Sequence, residues 1–488
     1  MKRNPLNRFD IYLLTGISLF FLLFYLLLSY HNRPASHDFQ LIAFLKEFGW
    51  IGSIKYQYFL WNNRWASCLY FNSLFSLGET FLEYNIYIFL YHFGSIVLFI
   101  YAVYSILTGL FERFFSDIPP FAVRLNYAVL FCALFYSITV QAIEVWFWLT
   151  VTFYYLQSII MSCLGFSLIL KKKNSLLCNV LIALCFTYVG GSVENYSLTL
   201  ILFLFFCLLF ILIRMQYRIK RFLQYSFTKK LIVALTFLLL SGAFTYTGGG
   251  TMRRKHIMEM QIQKSQHDEK QFIEKLPDRN FLYSVFFQRK YLLFLVLIIP
   301  VVFLGYAMRD VKLAPDNFFD KYSPASLLLM TALFLFAFSA INMGPIFYLF
   351  ENSGPLRTWA PVSLFVVIFC CFWGFYLGYK VLLIQRIISP LFYISSFAAI
   401  IILGLYIFRQ YPVISTYATA YDKRIKHLYS LNKNGHTDIC TLEPLPPSGM
   451  LVSGDVNNDT EKFRSFYLGK ALELNFKIKI EKNIWAQD

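Results

Sequence analysis

Eleven apolar runs divide this chain, and each is close to the ~20 residues that a helix needs to cross about 30 Å of hydrocarbon. They fall at 11–30, 85–111, 122–140, 146–170, 175–190, 197–214, 230–247, 291–308, 325–342, 360–380 and 389–408. Across 488 residues, 58% are hydrophobic and 20% aromatic, with 55 Phe. Only 15% are charged, against roughly 25% in a soluble domain. A fold in water has no way to hide that much apolar surface; a fold in lipid has no need to. The pattern predicts an all-α polytopic membrane protein of about eleven transmembrane helices.

The charges set a direction. The first run, Ile11 to Tyr30, follows Lys2, Arg3 and Arg8. It is longer than the apolar core of a signal peptide, and only a weak Pro34-Ala35-Ser36 comes after it. It reads as a retained helix with a cytoplasmic N-terminus. Counting eleven spans from inside then gathers basic residues on the cytoplasmic face: Arg113, Arg124, Lys171 to Lys173, Arg214 to Lys230, Arg309, Lys312, Lys321, Lys380 and Arg386. Three short outer loops, at 141–146, 190–196 and 343–359, hold one basic residue, Arg357. That asymmetry is the positive-inside rule, and it turns the net charge of +17 into a topological signal. Nucleic acid is not the expected partner.

Three longer segments fall outside: 31–84, 248–290 and 409–488. The first is amphipathic and rich in aromatics (Phe44, Phe48, Trp50, Trp61, Trp65), as interfacial helices are. In the last, Pro444 to Pro447 break the chain, and Leu472, Leu474, Phe476, Ile478 and Ile480 alternate with polar residues at strand spacing. Residues 1–408 are expected to form the membrane domain, and 409–488 a small extracytoplasmic α/β appendage. Seven of nine cysteines lie in apolar runs; no spacing pattern pairs the other two, Cys68 and Cys440.

Polar residues that are rare in their context are the functional candidates. Asp38 follows the first run; either it or Ser36 also suits the cap of a helix starting near Phe39. Arg64 lies between Trp61 and Trp65, where an interfacial cation stacked on rings competes with a ligand role. Glu144 precedes Val145-Trp146-Phe147-Trp148, an aromatic belt on the bland reading. Glu194 and Asn195 follow Gly190-Gly191, which serve a plain turn as well as close approach to a ligand. Arg253 and Arg254 follow Gly248-Gly249-Gly250; glycine amides beside cations suit an anion, and a flexible basic hinge is the alternative. Arg357 runs against the scarcity of outer cations and suggests a phosphate or a buried partner. All of these fall on the outer side of the charge-derived topology.

Several chemistries leave no trace. There is no Walker A loop, no GxGxxG on a strand–helix unit, no His/Cys metal spacing and no Gly-x-Ser-x-Gly elbow.

At these residues the chain resembles the GT-C superfamily of membrane glycosyltransferases, and in particular a group of bacterial members. The features are an acid after span one (His37-Asp38), Trp61 to Arg64, Glu144 before a Trp-rich span, Glu194-Asn195 and a Gly-rich turn before Arg. The likeness covers residues 1 to about 408. It implies a cytoplasmic-membrane enzyme that draws a sugar from a polyprenyl-phosphate carrier at the outer face. The acceptor would be a glycan, lipid or protein. By the same resemblance Asp38 is the general base of an inverting displacement. Arg357, Arg253 or Arg254 would stabilise the lipid phosphate, and Arg64 is a further substrate-binding candidate. Glu144, Glu194 and Asn195 would hold sugar hydroxyls or orient a cation. The usual acidic pair is His-Asp here, so a divalent cation is left open and no cofactor is assigned.

Other classes fit the sequence less well. A lipid-linked glycan polymerase or ligase usually carries its long outer loop between late spans. A transporter places ionisable groups near mid-bilayer and often shows two similar halves; neither feature is present. A non-catalytic assembly protein, whose outer polar residues bind a partner, is the third alternative.

Overall fold

The computed structural model describes residues 7–115, 118–172, 175–215, 218, 223, 225–250, 253, 290–311, 323–350 and 355–481. Nine helices among them are long and apolar enough to cross a membrane, and two shorter apolar helices, Leu176–Gly190 and Leu292–Ala307, accompany them. These eleven segments coincide with the eleven apolar runs. The described residues thus form a helical, membrane-type fold with almost no sheet, because lipid leaves backbone groups to be satisfied within each helix.

Helix α1 (Arg8–His31) begins with a reciprocal cap between Asn7 and Asp10. Pro34 then stops the chain, and α2 (His37–Tyr56) leaves at the far end of α1. Gly49 kinks α2 with φ 67, a left-handed angle that favours glycine. A wide turn, Gln57–Trp61, leads to α3 (Trp65–Phe75). The first loop is therefore a chain of helices lying beside α4 (Phe81–Phe114) and the later spans.

After α5 (Phe121–Ile138), the 146–170 run is broken near its start rather than continuous. Helix α6 (Ala142–Phe147) ends at Trp148, whose ψ of 109 is extended. Helical geometry resumes at Leu149, and α7 (Gln157–Leu170) completes the span. The break is tied to the α1–α2 corner. Asn32 Nδ2 donates to the Phe147 carbonyl at 2.6 Å, and Trp148 Nε1 donates to the Ala35 carbonyl at 3.2 Å. Each irregular stretch thus satisfies backbone groups that the other leaves open, as a buried site requires.

The remaining spans are α8 (Leu176–Gly190), α9 (Glu194–Arg214), α10 (Ser226–Thr247), α11 (Lys290–Ala307), α12 (Pro324–Phe350), α13 (Ala360–Lys380) and α14 (Leu382–Lys433). Small residues set the closest contacts. A Cβ on Gly305 would collide with the Phe375 carbonyl, and one on Gly378 with the Val302 carbonyl, so α11 and α13 touch backbone to backbone. Gly190 likewise meets Ser241 and Gly242 on α10. Lys230, grouped with the loop cations by sequence, is buried and caps α7, its Nζ 3.2 Å from the Leu168 carbonyl and 2.6 Å from that of Lys171.

Helix α14 is 52 residues long and passes through residue 408 without a break. The polar tail folds back along its second half. It contains α15 (Phe463–Ala471) and two short parallel strands, β1 (Cys440–Leu442) and β2 (Ile478–Ile480), with Cys440 opposite Ile478. Arg424 of α14 holds the buried Asp455 at 2.7 Å. Asp422 holds Arg33 through two 2.8 Å bonds, fixing the α1–α2 corner. The tail also packs on α2: Tyr467 meets Phe44, Lys470 pairs with Glu47 at 3.1 Å, and Phe463 lies 4.6 Å from the His37 ring. Cys68 and Cys440 are both free and buried.

Candidate functional site

One small cleft opens where α2, the 57–61 turn, the 148–154 stretch and the loop before α13 meet. Aromatic rings, Trp61, Trp148 and Tyr154, form its walls. Two guanidinium groups, Arg64 and Arg357, face it.

Arg64 caps the start of α3. Its Nε and an Nη each lie 3.2 Å from Glu194 Oε2, and its guanidinium sits 4.9 Å from the centroid of the Tyr154 ring. Glu194 occupies the first turn of α9, where the positive end of the helix dipole favours an acid. Arg357 lies in a short turn, Leu356–Trp359, and reaches Glu144 Oε2 at 3.0 Å. Its guanidinium is 5.2 Å from the Trp148 ring. The two arginines are 17% and 27% exposed. Both are thus partly shielded from water and pinned by an acid on one side and a ring on the other. Such a guanidinium is pre-organised for an oxyanion.

Asp38 is fully buried behind this cleft and does not line it. Oδ2 accepts from the Ala35 N–H at 2.9 Å; Oδ1 accepts from the Thr150 N–H at 2.9 Å and from Thr150 Oγ1 at 2.5 Å. Ser36 makes no side-chain cap. Burial pushes the Asp38 carboxyl up from 3.8 to about 7, while its three donors pull the other way. The Thr150 hydroxyl can donate to the carboxylate or accept from the carboxylic acid, so either protonation state keeps every bond. Thr150 itself lines the cleft, as does His37, which stacks on Trp148 and meets Gln40 Oε1 through Nδ1 at 3.2 Å.

A chain of uncharged groups also lines the cleft. Arg64 N–H donates to Asn62 Oδ1 at 3.1 Å; Asn62 Nδ2 in turn donates to Gln57 Oε1 at 3.2 Å and to the Tyr154 hydroxyl at 3.3 Å.

Of the residues singled out by sequence, Arg64, Glu144, Glu194 and Arg357 assemble around one cleft, with Asp38 one side chain behind it. Asn195 turns away: its Nδ2 donates to Asn342 Oδ1 at 2.9 Å, joining α9 to α12. Arg253 is exposed and does not line the cleft, and Arg254 lies outside the described residues. The preceding glycines serve packing: Asn63 Nδ2 donates to the Gly248 carbonyl at 2.9 Å, and a Cβ on Gly250 would meet the Asn62 amide. Sequence reasoning missed Gln57 and Thr150, because an amide and a hydroxyl are unremarkable beside apolar runs.

No group of three or more His, Cys, Asp or Glu that could hold a metal ion occurs among the described residues. Glu144 and Glu194 face separate arginines, so the side chains here do not fit a metal centre. No protein-family profile matches the chain, and no curated protein matches it.

Proposed function

We propose that this protein is a membrane glycosyltransferase that takes a sugar from a polyprenyl-phosphate carrier at the extracytoplasmic face of a bacterial cytoplasmic membrane. It passes that sugar to a glycan, lipid or protein acceptor. One observation carries the reading: two ring-stacked arginines, far apart in sequence, face a single aromatic-walled cleft in a membrane-type fold. A lipid phosphate needs cations at the interface, and a sugar needs rings and uncharged hydrogen-bonding groups; the cleft offers both. The charge asymmetry of the loops, with basic residues on the expected cytoplasmic side, supports an outer position for the cleft.

In this account Arg64 and Arg357 hold the carrier phosphate and stabilise it as it leaves. Glu194 and Glu144 orient the arginines. An acceptor hydroxyl attacks the anomeric carbon once, with inversion. As the new C–O bond forms and the C–O bond to phosphate breaks, the acceptor proton passes to Thr150 Oγ1. The Thr150 proton moves to Asp38 Oδ1. Asp38 is then the base at one remove, and a carboxyl near 7 is matched to that task at neutral pH.

The test is transfer in sealed proteoliposomes with radiolabelled polyprenyl-phosphate sugars and a crude envelope acceptor. The account expects bare polyprenyl phosphate and labelled product. Labelled lipid that changes leaflet unaltered would instead make the protein a flippase.

A further inference from the structure

The amides that line the cleft have a fixed polarity. A backbone N–H can only donate, so the Arg64 N–H requires Asn62 to present its oxygen there. Asn62 must then turn its NH₂ toward Gln57, and Gln57 must meet it with its own oxygen. Flipping either amide would set donor against donor or acceptor against acceptor. Gln57 Nε2 is left as the one free donor of the chain. Gln57 is fully buried, lines the cleft, and its Nε2 has no hydrogen-bond partner. A buried unpaired amide donor is destabilising, and a bound acceptor would offset that cost.

We infer that Gln57 is a substrate-binding residue whose Nε2 donates to a neutral oxygen of the transferred sugar, a hydroxyl or an acyl carbonyl. This rests on the transferase reading above. The surroundings of Gln57 favour a neutral group over the phosphate: Gln57 and its partner Asn62 are buried and uncharged, and the nearby Asp38 carboxyl, bonded to Thr150, would oppose a second anion. The charged part of the donor belongs at the more exposed arginines. Gln57 thereby reads the sugar rather than the carrier.

The test compares farnesyl phosphate with a panel of farnesyl-phosphate hexosides (glucose, mannose, N-acetylglucosamine) by equilibrium binding to the purified full chain. Gln57→Glu keeps an oxygen facing Asn62 and replaces the donor by an acceptor. At pH 8 it should bind the preferred glycoside at least tenfold more weakly while binding farnesyl phosphate unchanged. Lowering the pH should restore glycoside binding, because a protonated carboxyl is again a donor. Gln57→Met should be equally weak and show no recovery, which separates hydrogen bonding from shape. Equal weakening of both lipids would assign Gln57 to the phosphate and overturn the inference. So would unchanged glycoside affinity, or a panel in which no glycoside binds more tightly than bare phosphate. Loss of farnesyl phosphate binding in the native protein would instead overturn the transferase reading itself, and this inference with it.

Discussion

Asp38 and Thr150 lie 112 positions apart, yet Oδ1 of one is 2.5 Å from Oγ1 of the other. The contact joins a buried carboxyl to a hydroxyl that faces the cleft. If the proton travels this way, Thr150→Ser keeps the route and Thr150→Val removes it. Turnover of a polyprenyl-phosphate sugar should stay within about threefold in the first and fall at least 10²-fold in the second, the usual scale for general-base loss. Equal rates in the two variants would leave Asp38 with a purely structural part.

The same carboxyl predicts a pH effect on stability. Its value in the folded protein, about 7, lies above the ordinary 3.8. Between those values the folded state binds more protons than the unfolded state, so stability falls as pH rises. The contribution is fully present below about pH 4 and lost once pH passes about 7. Thermal unfolding in detergent at a series of pH values should show that decline in the native protein. Asp38→Asn should flatten it; an unchanged slope would place the titrating group elsewhere.

The arginines should separate from their acids in binding. Arg357→Lys keeps the charge but loses the planar fork and the stack on Trp148. Affinity for farnesyl phosphate should drop about tenfold, near 1.4 kcal/mol. Glu144→Gln removes the carboxylate that orients Arg357, so binding should weaken too, though less than in Arg357→Lys. Unchanged or tighter binding in Glu144→Gln, measured by titration at one fixed ionic strength, would show that the acid competes with the phosphate rather than orienting the arginine.

Much of this was legible in the sequence, for reasons that differ by residue. The apolar runs reappear as helices because lipid imposes both length and hydropathy. Arg64, Glu144, Glu194 and Arg357 stood out because ionised groups are rare near apolar runs. Their pairing was hidden: Arg64 meets Glu194 across 130 positions and Arg357 meets Glu144 across 213. Asp38 was ambiguous between cap and base, since burial against Thr150 is a tertiary fact. The glycine run at 248–250 suggested an anion and proved to be a packing surface for Asn62 and Asn63. Gln57 carried no signal, as its unpaired donor exists only once Arg64 has oriented Asn62. The short strand at Ile478–Ile480 follows from the alternation, though Leu472 belongs to the end of a helix.

The tail should depend on one buried ion pair. Arg424 and Asp455 are 7% and 9% exposed, so removing one partner strands the other without water. Arg424→Met should cost about 3–5 kcal/mol of tail stability, read as faster limited proteolysis after residue 433. The double change Arg424→Met with Asp455→Leu should recover part of it. No recovery would mean that the bond from Arg424 to the Glu443 carbonyl matters as much as the pair.

The most direct measurement is a density map of the protein with a polyprenyl-phosphate sugar bound. The account predicts the phosphate within hydrogen-bonding distance of both Arg64 and Arg357, the sugar against Trp61, Trp148 and Gln57, and the cleft mouth on the side opposite the 171–175 loop. A phosphate bound away from both arginines, or a cleft opening on the same side as that loop, would contradict it.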